Sequence, residues 1–126
     1  MKGTDTGSDL RTLATRYIEA VGKKDFDTVA SFLNPQMEFT GNIAASRGAG
    51  EWIAALRRLS PVLLRNEVKK VFVDGSEVCI IYDFVTTVCP VPSVEWLVIK
   101  DDLITSIFLL FDRSRWPEVM EALKAR

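Results

Sequence analysis

The chain has 126 residues, 48% of them apolar and 26% charged, with a net charge of −1 and a pI near 5.5. These values describe one soluble globular domain, 1–126, large enough for a proper core. They exclude the global basic field that draws a protein to nucleic acid or to an anionic membrane. The chain contains no histidine, which removes His-based triads, His–Asp dyads and every His-containing metal site. Acid–base chemistry here must use Asp, Glu, Tyr, Lys or Cys.

Residues 1–7 read as a flexible tail, with Gly3 and Gly7 and no apolar h-region of a signal peptide. Ser8 is placed to cap a first helix. Its apolar face is Leu10, Leu13, Ala14, Tyr17, Ile18 and Val21, and Gly22 is its C-cap. Asp25 caps a second, short helix carrying Phe26, Val29, Ala30 and Leu33, and Asn34-Pro35 ends it. Met37 to Thr40 is a short strand and Gly41 to Gly50 a loop. A third helix from Glu51 presents Trp52, Ala55, Leu56, Leu59 and Leu63, with Pro61 kinking or stopping it.

The rest is β: Asn66–Asp74, Ser76–Cys89, Val94–Lys100 and Leu103–Asp112, with Asp101-Asp102 as a tight reversal. Ser114 can cap a closing helix with Pro117 in its first turn. Segregated helices and a strand-rich second half indicate an α+β domain with an antiparallel sheet. Cys79 and Cys89 fall on one predicted strand, about 33 Å apart if extended. That is far beyond disulfide reach, so both read as thiols, which fits a cytoplasmic protein. No apolar run is long enough to span a bilayer. Arg57, Arg58, Arg65, Lys69 and Lys70 form a basic cluster that reads as a solvated face.

The stretch from Ser76 to Pro90 is apolar on both parities. One holds Val78, Ile80, Tyr82 and Phe84; the other holds Cys79, Ile81, Asp83 and Val85. Such a strand is central and covered on both sides. Asp83 in its middle would be costly to bury as an unpartnered carboxylate.

RYIEAVGKKDFDTVASFLNPQMEFTG, then RGAGEWIAAL, and the ending WLVIKDDLITSIFLLFD together resemble the nuclear transport factor 2-like superfamily. The resemblance is nearest its SnoaL-like and ketosteroid isomerase-like branches and runs from about Leu10 to Asp112. It implies a cone-shaped, curved antiparallel sheet wrapped around the N-terminal helices, with a short C-terminal helix and a pocket between sheet and first helix. No cofactor is expected, and with no third ligand in view the Asp101-Asp102 pair reads as a turn rather than a metal site. The resemblance also implies a homodimer formed through the outer sheet face, consistent with the two apolar parities of Ser76–Pro90.

By that resemblance, TRYIE places Tyr17 on the tyrosine that donates to an enolate oxygen. A one-residue gap brings Glu95 onto a second donor, a carboxylic acid held neutral by apolar surroundings. The catalytic base of the pattern falls on Gly41, which has no side chain. Asp83 is the one evident substitute: the alignment turns Cys79, Ile81, Asp83 and Val85 toward the cavity, whereas the count of apolar residues favours the opposite face. Phe39, Trp52, Leu97, Ile107, Leu109 and Phe111 would line the pocket.

The implied activity is isomerase or polyketide cyclase-like general acid–base chemistry by carboxylates on a small hydrophobic carbonyl compound. A non-catalytic pocket for a small hydrophobic ligand, or a dimerisation module, is the alternative. The missing base at Gly41 favours the alternative, and convergence of Asp83 and Glu95 with Tyr17 would favour the enzyme.

Overall fold

A computed structural model describes residues 6–42 and 44–125. Helix α1 (Thr6–Gly22) is followed by α2 (Phe26–Ser31), β1 (Leu33–Gly41), β2 (Ala45–Arg47) and α3 (Ala49–Leu59). A 3-10 turn, Ser60–Val62, leads into β3 (Leu63–Asp74), β4 (Glu77–Thr86), β5 (Pro90–Lys100), β6 (Leu103–Phe111) and α4 (Trp116–Lys124). The strands form one open, curved sheet in the order β2-β1-β6-β5-β4-β3. The pairings are antiparallel except β1 with β6, which is parallel, so the α+β sheet is mixed rather than wholly antiparallel. Register shifts interrupt β1–β6, β3–β4 and β5–β6, and bulges of this kind bend a sheet.

Several boundaries follow from local chemistry. Asp25 caps α2 by accepting the Thr28 backbone N–H at 3.3 Å. Asp101 and Asp102 both adopt positive φ, which is the backbone of a tight hairpin turn. Pro61 ends α3 as part of the 3-10 turn. The expected tail is corrected in part: α1 begins at Thr6, so Ser8 falls inside it, while residues 1–5 lie outside the described residues.

The loop expected over Gly41–Gly50 contains β2, which pairs with β1 through Phe39 and Ser46. Strand β5 starts earlier than expected, at Pro90. Pro92 sends its carbonyl toward the Asp112 N–H, while the β6 ladder stops at the Ser93–Phe111 pair. The proline ring therefore sits where no ladder donor is needed. At α4 the expected Ser114 cap is replaced by a turn in which the Asp112 carboxylate accepts the Ser114 N–H at 2.9 Å.

The sheet has two unlike faces. Strand β5 alternates strictly, with Val91, Ser93, Glu95, Leu97 and Ile99 buried. Val78, Ile80, Tyr82 and Phe84 of β4 join them on the same inner face, against Ala14, Tyr17, Ile18 and Val21 of α1. Cys79, Ile81 and Asp83 lie on the outer face.

Asp83 is therefore not in the cavity. It stands opposite Glu67 of β3, and the Lys69 ammonium lies 3.6 Å from both carboxylates. The physical reason is the simple one: the parity carrying four large apolar side chains goes inside, and a carboxylate that can keep water and a lysine stays out.

Helix α1 is held close to β3 at Gly22, where an added Cβ would sit 2.6 Å from the Asn66 backbone nitrogen. Asn66 in turn donates from Nδ2 to the Ile18 carbonyl at 3.0 Å. Backbone cannot yield as a flexible side chain can. Gly22→Ala should accordingly destabilise the fold by about 1–3 kcal/mol. Gly50→Ala, in open space on α3, should be neutral or stabilising by up to about 1 kcal/mol. Urea denaturation of the two variants tests this, and equal midpoints would contradict the tight α1–β3 approach.

Candidate functional site

Between α1, α3 and the inner face of the sheet lies a cavity of about 310 Å3, within the usual size range of small-molecule sites. Its walls are mostly apolar. Phe39 of β1 stacks on Trp52 of α3 with ring centroids 4.1 Å apart, and Phe111 of β6 packs on Trp116 of α4 at 4.7 Å. Polar groups gather on the inner wall: Tyr17 from α1, Tyr82 from β4, and Ser93 and Glu95 from β5.

Their positions follow from the elements that carry them. Tyr17 lies on the buried stripe of α1 with Ala14, Ile18 and Val21. Glu95 and Ser93 share the inward parity of β5, and Tyr82 stands directly opposite Ser93 in the β4–β5 ladder. Tyr82 is thus diagonal to Glu95, within reach of a long side chain.

Two hydrogen bonds organise this wall. The Trp52 indole N–H donates to the Tyr17 hydroxyl oxygen at 2.7 Å, so the Tyr17 proton remains to be given elsewhere. The Tyr82 hydroxyl donates to Glu95 Oε2. Glu95 is only 3% exposed, and its other oxygen, Oε1, has no partner among the described residues.

Burial pushes the Glu95 pKa from its ordinary 4.5 up to about 7, against the Tyr82 bond, which favours the charged form. Burial also holds the Tyr17 phenol well above its usual range; the nearby Glu95 charge adds to this and the Trp52 bond opposes it. Tyr82 is raised likewise, first by burial and then by Glu95. Glu95 is the group of the three that changes charge near neutrality.

Of the residues expected at the site, Tyr17, Glu95, Phe39, Trp52, Leu109 and Phe111 border this one cavity. Leu97 and Ile107 do not. They face each other across the β5–β6 ladder, fully packed in the core beyond Glu95. Asp83 is on the far side of the sheet. Gly41 lines the cavity, but a Cβ there would lie 2.9 Å from the Phe39 ring and 3.2 Å from the Leu109 carbonyl oxygen. A carboxylate side chain at that position would have to push the Phe39 ring off its stack on Trp52.

Sequence reasoning missed Tyr82 as a site residue. The signal was present in the apolar parity of β4 that Tyr82 shares with Val78, Ile80 and Phe84, and the register taken from the resemblance hid it. Among the described residues no group of three or more His, Cys, Asp or Glu side chains is arranged to hold a metal ion.

The elevated Glu95 pKa has a consequence for stability. The folded state keeps a proton that the unfolded chain releases above pH 4.5, so folding stability falls as pH rises from there through about 7. At 1.36 kcal/mol per pH unit, the loss is about 3 kcal/mol by pH 8. Glu95→Gln, neutral throughout, should lack this contribution and lose correspondingly less stability between pH 5 and 8. Parallel stability–pH curves from chemical denaturation of the two proteins would show that Glu95 is solvated instead.

The sequence model of the SnoaL-like domain matches residues 14–107. No curated protein gives a significant match. Among solved structures, a protein from Kribbella flavida is 25% identical with a TM-score of 0.80, the match covering 91% of this chain and 96% of that one. A protein from Shewanella putrefaciens, named as a candidate SnoaL-like polyketide cyclase, is 19% identical over 90% of this chain and 86% of its own, with a TM-score of 0.74. A candidate ketosteroid isomerase from Kribbella flavida is 13% identical over 84% and 79%, with a TM-score of 0.76. The last two likenesses are of fold. With the domain match spanning most of its length and the same architecture around its pocket, this chain belongs to the SnoaL-like family of the nuclear transport factor 2-like superfamily.

Proposed function

We propose that the cavity binds a small hydrophobic carbonyl compound and that Glu95 moves a proton on it. The observation that carries this reading is one cavity wall lined by both Glu95, whose Oε1 is buried without a partner among the described residues, and Tyr17, whose hydroxyl oxygen is already engaged by Trp52. Ionised Glu95 takes the proton from the carbon α to the carbonyl: the C–H bond breaks, an O–H bond forms at Oε1, and the electron pair passes to the carbonyl oxygen. Tyr17 donates its hydroxyl proton in a hydrogen bond to that enolate oxygen. Where a double bond conjugates with the enolate, neutral Glu95 returns the proton to the far carbon of that dienolate and completes an isomerisation; otherwise the enolate attacks a second carbonyl of the same molecule, a C–C bond closes the ring, and the new alkoxide takes the proton back from Glu95.

A carboxyl titrating near 7 suits both halves of that cycle. The base and the neutral acid are here one residue, with Tyr82 holding Oε2 and orienting Oε1. A non-catalytic pocket for the same class of ligand is the second reading, and the blocked position at Gly41 favours it.

The candidate cyclase and candidate isomerase with this fold make cyclic ketones the reasonable first probes. Deuterium wash-in at the α-carbons of 2-tetralone, followed by proton NMR in D2O, should exceed the buffer rate and rise with pH through about 7. Glu95→Gln should lower it by about a hundredfold or more, and Tyr17→Phe by about tenfold or more. Wash-in unchanged in Glu95→Gln would remove the catalytic assignment. Saturable binding with no wash-in above buffer would leave the binding reading.

The outer sheet face supports a homodimer as the working assembly. Phe72, Trp96, Phe108 and Leu110 are exposed there, with Ile81 and Val94 between them, and the ladders set Phe72, Cys79, Trp96 and Phe108 in one row. Aligned apolar groups of this size are unusual on a monomer. Sedimentation equilibrium at micromolar concentration should give a dimer and Trp96→Glu a monomer; a monomeric wild type would reject the assembly.

A further inference from the structure

We propose that Arg58 recognises a carboxylate, so that the natural ligand is an apolar acid: its body fills the cavity, its reacting end meets Tyr17 and Glu95, and its acid group sits at the mouth. The inference rests on the pocket reading above and names the ligand class more narrowly. Arg58 lies in the last turn of α3 and lines the cavity at the solvent side.

Among the described residues the other arginine side chains are in use. Arg11 donates to the Val71 carbonyl and Arg113 to the Asn42 carbonyl. Arg16 and Arg57 lie over the Phe32 and Phe26 rings. Arg47, Arg65 and Arg115 pair with Glu38, Glu67 and Glu118. Arg58 has no hydrogen bond, ion pair or ring contact among the described residues, and it is the arginine that borders the cavity. A guanidinium held at the rim of an apolar chamber presents a planar fork of donors, which matches a carboxylate bidentately.

The other charged group of the mouth is Glu51, on the same face of α3 seven residues earlier. At 1.5 Å rise per residue it stands about 10 Å away along the helix axis, roughly a Debye length at ordinary salt. Glu51 occupies the first turn of α3, where its charge is favourable to the helix itself. An anion at Arg58 therefore approaches the positive end of a divided rim. The basic cluster of the sequence thus separates by environment: Arg57 leans on an aromatic ring, Arg65 and Lys69 join Glu67, and Arg58 alone of these faces the chamber.

The test uses aryl keto acids of three lengths, 4-oxo-4-phenylbutanoate, 6-oxo-6-phenylhexanoate and 8-oxo-8-phenyloctanoate, each beside its methyl ester. Binding is read at low salt by fluorescence of the tryptophans, two of which, Trp52 and Trp116, border the cavity. In the wild type at least one acid should bind about fivefold or more tightly than its ester. Arg58→Gln should bring that ratio close to one without weakening the ester, whereas Arg57→Gln should leave it unchanged. Added salt should reduce the preference in the wild type and not in Arg58→Gln. Esters that bind as tightly as the acids, or an acid preference that survives Arg58→Gln, would overturn the assignment while leaving the pocket itself standing. Binding of neither acid nor ester would overturn both readings. Arg58 is exposed, so loss of folding in Arg58→Gln is not expected, and thermal melting of the variant confirms that the comparison is between folded proteins.

Discussion

A carboxylate enclosed by apolar walls has three outcomes: it loses its charge, it finds partners, or it destabilises the fold. Glu95 combines the first two. Tyr82 satisfies one oxygen, burial raises the proton affinity, and the remaining oxygen is buried without a partner among the described residues. Replacing Glu95 by leucine would be the natural choice for packing alone, since Val91, Leu97 and Ile99 occupy equivalent inward positions on the same strand. The polar interruption on the inner row of β5, Ser93 and Glu95, coincides with the stretch where the sheet draws away from close packing and the cavity opens. Beyond it, at Leu97 and Ile107, the space closes and the residues become ordinary core.

The same alternation that aims Glu95 inward dictates the rest of the sheet. Every inner-face residue has an outer-face neighbour, and on β4, β5 and β6 those neighbours include Ile81, Val94, Trp96, Phe108 and Leu110. Across β3 and β4 the outer face changes character, with Lys69 set between Glu67 and Asp83. The outer surface therefore carries an apolar field that reaches Phe72 of β3 and, beside it, a charged patch at Glu67, Lys69 and Asp83. Charges on an edge strand also discourage open-ended pairing of that edge.

Much of this was legible in the residues. Helical stripes placed Tyr17 and Trp52, the Asp101-Asp102 reversal fixed the β5–β6 hairpin, and the family resemblance, with a one-residue gap, put Glu95 at the site. The face of β4 was also legible, since Val78, Ile80, Tyr82 and Phe84 form the more apolar parity. Trust in a distant register pointed Asp83 the wrong way. A shift of one residue in a strand exchanges its faces, so an alignment good enough to identify a fold can still invert every side chain on one strand.

Other features depend on separations that sequence does not encode. The parallel partnership of β1 and β6 joins residues about 70 positions apart. The obstruction at Gly41 arises only because the Phe39 ring and the Leu109 carbonyl arrive there together. The freedom of Arg58 is a property of where its neighbours' partners happen to lie.

The absence of histidine gives the site its particular logic. An imidazole titrates near neutrality without help, whereas a carboxylic acid needs its surroundings to move it there. Here the aromatic stack of Phe39 and Trp52, the buried stripe of α1 and the inner wall of the sheet supply low polarity, and Tyr82 limits how far the shift goes. A wholly apolar enclosure with no Tyr82 bond would raise Glu95 further and leave it a poor base at neutral pH. An open, hydrated site would return it toward 4.5 and leave it a poor acid. The depth of the cavity and the single phenol bond are therefore matched to one another, and a change in either would displace the group from the range in which it can both take and return a proton.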